Sequence, residues 1–96
     1  MPGYIIVHVN IHDREEFKKY LKAFMTEFKE FPGRFLVVTE DAEVLEGEWP
    51  QGRTAIMEFP SKEKAKEWYE SKQYQEITQI RFRSSEGTMI LLEGLS

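Results

Sequence analysis

The sequence contains no cysteine, so disulfide staples, thiolate metal sites and cysteine nucleophiles are all excluded. Histidine is scarce as well: His8 and His12 are the two in the chain, too few for a histidine-built metal centre without carboxylate help, and no metal site is expected. Positive charge is in deficit, with 13 Lys and Arg against 17 Asp and Glu and a formal net charge of -4. A nucleic-acid partner needs a basic face, so none is expected. Long apolar runs are missing too, and stretches such as Tyr4–Val7 and Met89–Leu92 are far too short for a membrane-spanning helix or a signal-peptide core. A soluble cytoplasmic protein without a membrane partner is the expectation. No glycine-rich phosphate loop, nucleophile elbow or dinucleotide fingerprint occurs, and no cofactor is expected.

What the chain does have is aromatic bulk, 14% Phe, Trp and Tyr in 96 residues, which suits one small domain (residues 1–96) held by packing alone. Tyr4 to Ile11 alternates and is rich in β-branched residues, so it predicts a strand with Ile5, Val7, Val9 and Ile11 on one face. Tyr4, Ile6, His8 and Asn10 make a mixed opposite face. Asp13 with Glu16 three residues on predicts a capped helix start, a variant of the capping box. Phe17, Tyr20, Leu21, Phe24, Phe28 and Phe31 then recur at helical spacing until Pro32-Gly33 ends the helix. Arg34–Thr39 predicts a second strand, Val44–Glu46 a short additional one, and Arg53–Phe59 the next. Pro60-Ser61 stops that strand and starts a helix carrying Ala65, Trp68 and Tyr69 inward. Ser71 caps a further short helix with Tyr74, Ile77 and Ile80, a loop follows at 84–87, and Thr88–Glu93 closes the chain as a strand. The order β-α-β-β-α-β is that of an α+β, ferredoxin-like fold, an antiparallel sheet with its helices on one face.

Helices on one face leave the other uncovered, although Ile6, Leu36, Val38 and Ile56 are expected on it beside His8, Asn10 and Glu58. So large an apolar surface is rarely left in water. A second copy of the same sheet is the simplest cover, predicting a homodimer that encloses a partly polar space.

Gly33-Arg34-Phe35-Leu36-Val37, Val44-Leu45-Glu46-Gly47-Glu48-Trp49, Glu58-Phe59-Pro60-Ser61, Trp68-Tyr69-x-Ser71-x-x-Tyr74-Gln75, Arg81-x-Arg83 and Leu92-Glu93-Gly94 occur in that order. Together they resemble a bacterial family of small domains of unknown function within the dimeric α/β-barrel superfamily. The resemblance spans nearly the whole chain and implies the same fold and the same dimer. It carries no established activity, since the superfamily holds cofactor-free monooxygenases, an isomerase, haem-dependent relatives and proteins of no assigned chemistry. This chain departs from that family's pattern where members often carry two acidic residues, here His8 and Asn10, and an arginine with glycines, here Val38-Thr39-Glu40.

His8 could accept a proton near neutral pH, or be a histidine hydrogen-bonded inside the dimer. Glu58 could act as a second acid or base, or pair with Arg34 or Arg81 to hold the fold. Arg81 could anchor a carboxylate or phenolate, with Arg34 and Asn10 as further polar contacts, or tie the last strand down through Glu93 or Glu58. Trp49 could line a ligand pocket or anchor its turn, whereas Trp68 belongs to the core. Two functions remain open: a dimeric domain binding a small aromatic or carboxylated metabolite, with cofactor-independent monooxygenase- or isomerase-like chemistry on it, or a non-catalytic dimeric domain with a satisfied polar interior.

Overall fold

The computed structural model describes residues 1–95. Seven elements follow one another: β1 (Gly3–Ile11), α1 (Arg14–Phe28), β2 (Arg34–Thr39), β3 (Arg53–Phe59), α2 (Lys62–Tyr69), α3 (Lys72–Ser84) and β4 (Ser85–Glu93). The strands form one antiparallel sheet in the order β2-β3-β1-β4. This is the ferredoxin-like α+β arrangement, with the second helical segment split into α2 and α3.

Three side-chain caps start the helices. Asp13 Oδ1 accepts from the Glu16 amide at 3.1 Å, Ser61 Oγ from the Lys64 amide at 3.1 Å and Ser71 Oγ from the Tyr74 amide at 3.2 Å. The reciprocal half of the capping box is absent, because the Ser84 carbonyl already takes the Asp13 amide at 3.1 Å. The Glu16 carboxylate instead binds Arg83 at 2.8 Å and Lys19 at 3.2 Å. Those arginine and lysine contacts hold the Glu16 carboxyl below the usual range.

The aromatic stripe of α1 packs as its spacing predicts. Phe17, Tyr20, Phe24 and Phe28 are buried against Ile5, Val9, Met57 and Phe59 of the sheet and against Trp68 and Tyr74. Trp68 and Tyr74, with no exposed surface, sit 4.2 Å apart between ring centroids at the centre of this core. Their polar ends are satisfied: Trp68 Nε1 donates to Glu27 Oε1 at 3.0 Å, and the Tyr20 and Tyr74 hydroxyls meet at 2.8 Å.

Several predicted details are corrected. Val44–Glu46 forms no strand, since no neighbouring strand supplies its backbone with partners. The helix after Ser71 is the longer of the second pair, running 13 residues to Ser84, and the expected 84–87 loop is absent because β4 begins at Ser85. Buried Ser84 and Ser85 make that abrupt junction feasible by donating their hydroxyls to the Ile80 and Arg81 carbonyls, each at 2.7 Å. In β2 an irregularity between Phe35 and Val37 shifts the register, so Val37, not Val38, lies opposite Ile56. One extra residue in a strand reverses which side chains face which side beyond it, and Val38 leaves the face assigned to it.

Candidate functional site

The uncovered face of the sheet is defined by its register. Tyr4, Ile6 and His8 of β1 stand opposite Glu58, Ile56 and Thr54 of β3 on one side and Leu92, Ile90 and Thr88 of β4 on the other. Its centre is apolar: Ile90 and Leu92 are each 45% exposed, and Val37 of β2 is 41% exposed. Its two ends are polar and differ from each other.

At one end Glu58 accepts from Arg34 Nε at 2.8 Å, with Arg34 Nη2 2.6 Å away, and from the Tyr4 hydroxyl at 3.2 Å. The Arg34 contact is the chief reason the Glu58 carboxyl is held below its usual range. A carboxylate so held is a weak base, so of the two roles considered for Glu58 the geometry matches the pairing with Arg34.

At the other end His8 is engaged through both ring nitrogens. Nε2 lies 3.2 Å from the Gln51 carbonyl, which can only accept, so Nε2 carries the proton in that bond. Nδ1 lies 2.9 Å from Thr54 Oγ1, whose hydroxyl donates to it when the ring is neutral. The Trp49 ring meets the imidazole edge-on with centroids 5.2 Å apart. His8 thereby ties the segment Trp49–Gln51 to the sheet.

Beside this tether is a cleft of about 520 Å³ lined by Asn10, Ile11, Arg14, Glu40, Asp41 and Trp49, among others. Arg14 closes one side through Glu40 at 2.9 Å, a contact that lowers the Glu40 carboxyl pKa. Gly52 completes the wall at φ 139°, a conformation open to glycine, and a Cβ there would strike the Val9 carbonyl. Trp49 also borders a second hollow of about 370 Å³ under Val44 and Leu45. Arg14, Glu40 and Asp41 were missed as site residues, because nothing in a helix's first turn or in an acidic turn marks them until the fold brings them together.

Among the residues expected in one site, Asn10 and Trp49 line the cleft, and His8 supports its wall without lining it. Arg34 and Glu58 lie at the far end of the face. The expected place of Arg81 on this face is corrected: it belongs to α3, is 5% exposed and lies on the helix side of the sheet, with no ion pair to Glu58 or Glu93. Continuation of α3 through Ser84 makes Arg81 a helical residue facing the sheet instead of a residue entering the last strand. No group of three or more His, Asp or Glu side chains among the described residues is arranged to hold a metal ion.

This architecture defines a ferredoxin-like domain whose one bare sheet face carries polar ends. The sequence matches the family described as a domain of unknown function (DUF1330) over residues 2–95, and the chain belongs to that family. No curated protein matches it. The fold is similar to a protein of unknown function from Rhodopseudomonas palustris, RPA0582, with TM-score 0.78 and 17% identity, covering 99% of this chain and 83% of that one. It is similar to a dimeric ferredoxin-like protein of unknown function from Jannaschia sp. CCS1, with TM-score 0.74 and 12% identity over 98% and 100% of the chains. It is also similar to SnoaB, a cofactor-independent oxygenase from Streptomyces nogalater, with TM-score 0.67 and 11% identity over 99% and 94%.

Proposed function

We propose that this protein is a homodimeric binding domain for a small hydroxylated aromatic molecule, held in the cleft between Asn10, Arg14 and Trp49. The observation that carries the reading is the tether of the Trp49–Gln51 segment by His8, which fixes an aromatic wall beside an open cleft of about 520 Å³. Trp49, 49% exposed, offers ring surface for stacking. Glu40 and Asp41 favour a ligand with hydroxyl donors, and Arg14 is already engaged by Glu40. A bare carboxylate suits this acidic cleft poorly, so of the two ligand types expected the aromatic one is favoured here. His8 acts as a positioning residue, since both its nitrogens are occupied.

The dimer is supported by the apolar centre of the bare face, where Ile6, Ile56, Val37, Ile90 and Leu92 lie together, and by the dimeric Jannaschia relative of the same fold. The catalytic extension is a cofactor-independent, monooxygenase- or isomerase-like reaction on the bound aromatic, with Asp41 as the carboxylate at hand, because Glu40 is held by Arg14 as Glu58 is by Arg34. The non-catalytic alternative has its own support in the satisfied Tyr4–Glu58–Arg34 cluster.

Thermal denaturation with phenol, catechol and resorcinol tests the binding. A saturable rise in Tm that Trp49→Ala removes is expected, because a ligand of the native state stabilises it by mass action. Absence of any saturable shift in a protein that sediments as a dimer would sink the reading. Turnover of a bound compound under air, followed by chromatography, separates enzyme from binding domain.

A further inference from the structure

On the helix side of the sheet, away from the cleft just described, two arginines share one small cavity. Arg53 of β3 and Arg81 of α3 line it together with Val7, Val9, Phe17, Tyr20 and other apolar residues. Its volume is about 30 Å³, roughly twice what one ordered water requires.

The charges there are unbalanced. Among the described residues neither arginine makes an ion pair: the six salt bridges involve other cations. Arg81 is 5% exposed, its Nε is buried without a partner, and its Nη2 reaches only Thr78 Oγ1 at 3.5 Å. Its guanidinium also lies 4.8 Å from the centre of the Phe82 ring, a weak compensation for a buried charge. Arg53 feels the Glu40 carboxylate, but that group is held by Arg14 at 2.9 Å. The Tyr20 hydroxyl is engaged with Tyr74 at 2.8 Å. An ionised group held from water without a partner is strongly disfavoured, and a guanidinium cannot shed its proton to escape.

We propose that this cavity is a binding site for the carboxylate group of a small monocarboxylate, gripped by Arg81 and Arg53. The guanidinium fork matches two carboxylate oxygens, and the small volume limits the ligand to the smallest monocarboxylates. This site is independent of the open-face cleft: it takes the anionic ligand type that the cleft's own acids disfavour, and it stands or falls separately.

Acetate is the probe. Saturation-transfer NMR and calorimetry on the whole chain should detect saturable acetate binding, with magnetisation transfer to its methyl from the protein. Arg53→Gln, half-buried at the cavity's side, should weaken that affinity about tenfold or more, the loss of a charge-assisted hydrogen bond. Arg81→Met should abolish it, and should leave Tm unresponsive to acetate at matched ionic strength. Equal Tm shifts from acetate, chloride and sulfate at matched ionic strength would reduce the effect to screening and overturn the site. Stabilisation by chloride with none by acetate would overturn its carboxylate selectivity. If Arg81→Met does not fold, unchanged acetate affinity in Arg53→Gln overturns the proposal on its own.

Discussion

The two faces of the sheet spend their hydrophobic residues differently. On the helix side Ile5, Val9, Met57 and Phe59 are at most 2% exposed, in one cluster with rings from α1, α2 and α3. On the other side residues of the same kind, Ile90, Leu92 and Val37, remain 41–45% exposed. Both sets are strand residues in the same ladder, so the difference lies in what covers them. Hydrophobicity in a strand says that a face will be covered; it does not say whether the cover comes from the same chain. The polar residues divide in the same way. The helix face buries Arg81 and Glu27 with incomplete partners, whereas the bare face satisfies His8 and Glu58 fully.

The strongest test of this contrast is to open the covered face. Trp68 is wholly buried, with ring centroids of Phe24, Phe28, Phe59 and Tyr74 all within 5.7 Å. Trp68→Ala should lower the unfolding free energy by about 3–5 kcal/mol, close to the whole stability of some small domains. It also strips the Glu27 carboxylate of the hydrogen bond from Trp68. Urea denaturation followed by circular dichroism measures the loss, and a change below about 1 kcal/mol would contradict the assignment of Trp68 to the core.

The matching change on the bare face is Ile56→Asp. If this face is the seam of the proposed dimer, the change should leave a monomer of 11.4 kDa in sedimentation velocity at low micromolar concentration where the wild type sediments as a dimer. Far-ultraviolet circular dichroism should show that the chain stays folded, because Ile56 takes no part in the buried cluster. If the wild type already sediments as a monomer, the bare face has some other cover.

The elements that reasoning from residues captured best are those whose signals are local. Asp13, Ser61 and Ser71 announce helix starts through their own side chains, and the alternation of Ile5 to Ile11 reports its two faces without outside help. What escaped depends on partners. The shift in β2 appears only against β3, and Val44–Glu46 has strand-forming residues but no strand to join. α3 hides its length because its buried side carries Thr78, Arg81 and Ser84, so no apolar stripe marks it beyond Ile80. The site divides for the same reason: His8, Asn10 and Trp49 share one end of the face, but Arg34 and Glu58 stand four strand positions away at the other.

A smaller effect, and one of opposite sign, is expected inside the covered face. Glu27 is 8% exposed; Oε1 accepts a hydrogen bond from Trp68 Nε1 at 3.0 Å and Oε2 has no partner. Burial pushes its carboxyl pKa up, more than the Trp68 hydrogen bond pulls it down. An acid with a raised folded pKa favours the folded state at low pH and loses that contribution as pH rises through the folded value. At neutral pH the charged form is therefore a liability. Glu27→Gln keeps the acceptor for Trp68 and removes the charge, so it should stabilise the protein at pH 7 by about 1 kcal/mol. The gain should shrink as pH falls through the raised folded value and be gone below the unfolded value of about 4.3, and chemical denaturation at pH 7 and pH 4 reads both.

The smallest expected effect is at the Arg34 end of the bare face, where the pair is open to solvent and screened by it. Arg34 holds the Glu58 carboxyl below its usual range, helped by the Tyr4 hydroxyl and opposed by desolvation. The sign is the reverse of that at Glu27. A depressed folded pKa contributes stability that is complete above the unfolded value, about 4.3 for glutamate, and is lost as pH falls through the folded value. Arg34→Met should therefore lower stability slightly at pH 7 and not at all at the acid end, so the wild-type and variant curves converge as pH drops below about 4. The acid dependence should persist in part, because Arg83 and Arg14 lower the Glu16 and Glu40 carboxyls in the same direction. High salt should bring the two proteins together at pH 7 as well, since exposed pairs are screened. Curves that stay parallel from pH 7 to pH 3 would mean that Arg34 acts through packing, as a long side chain lying on the bare face, and not through its charge on Glu58.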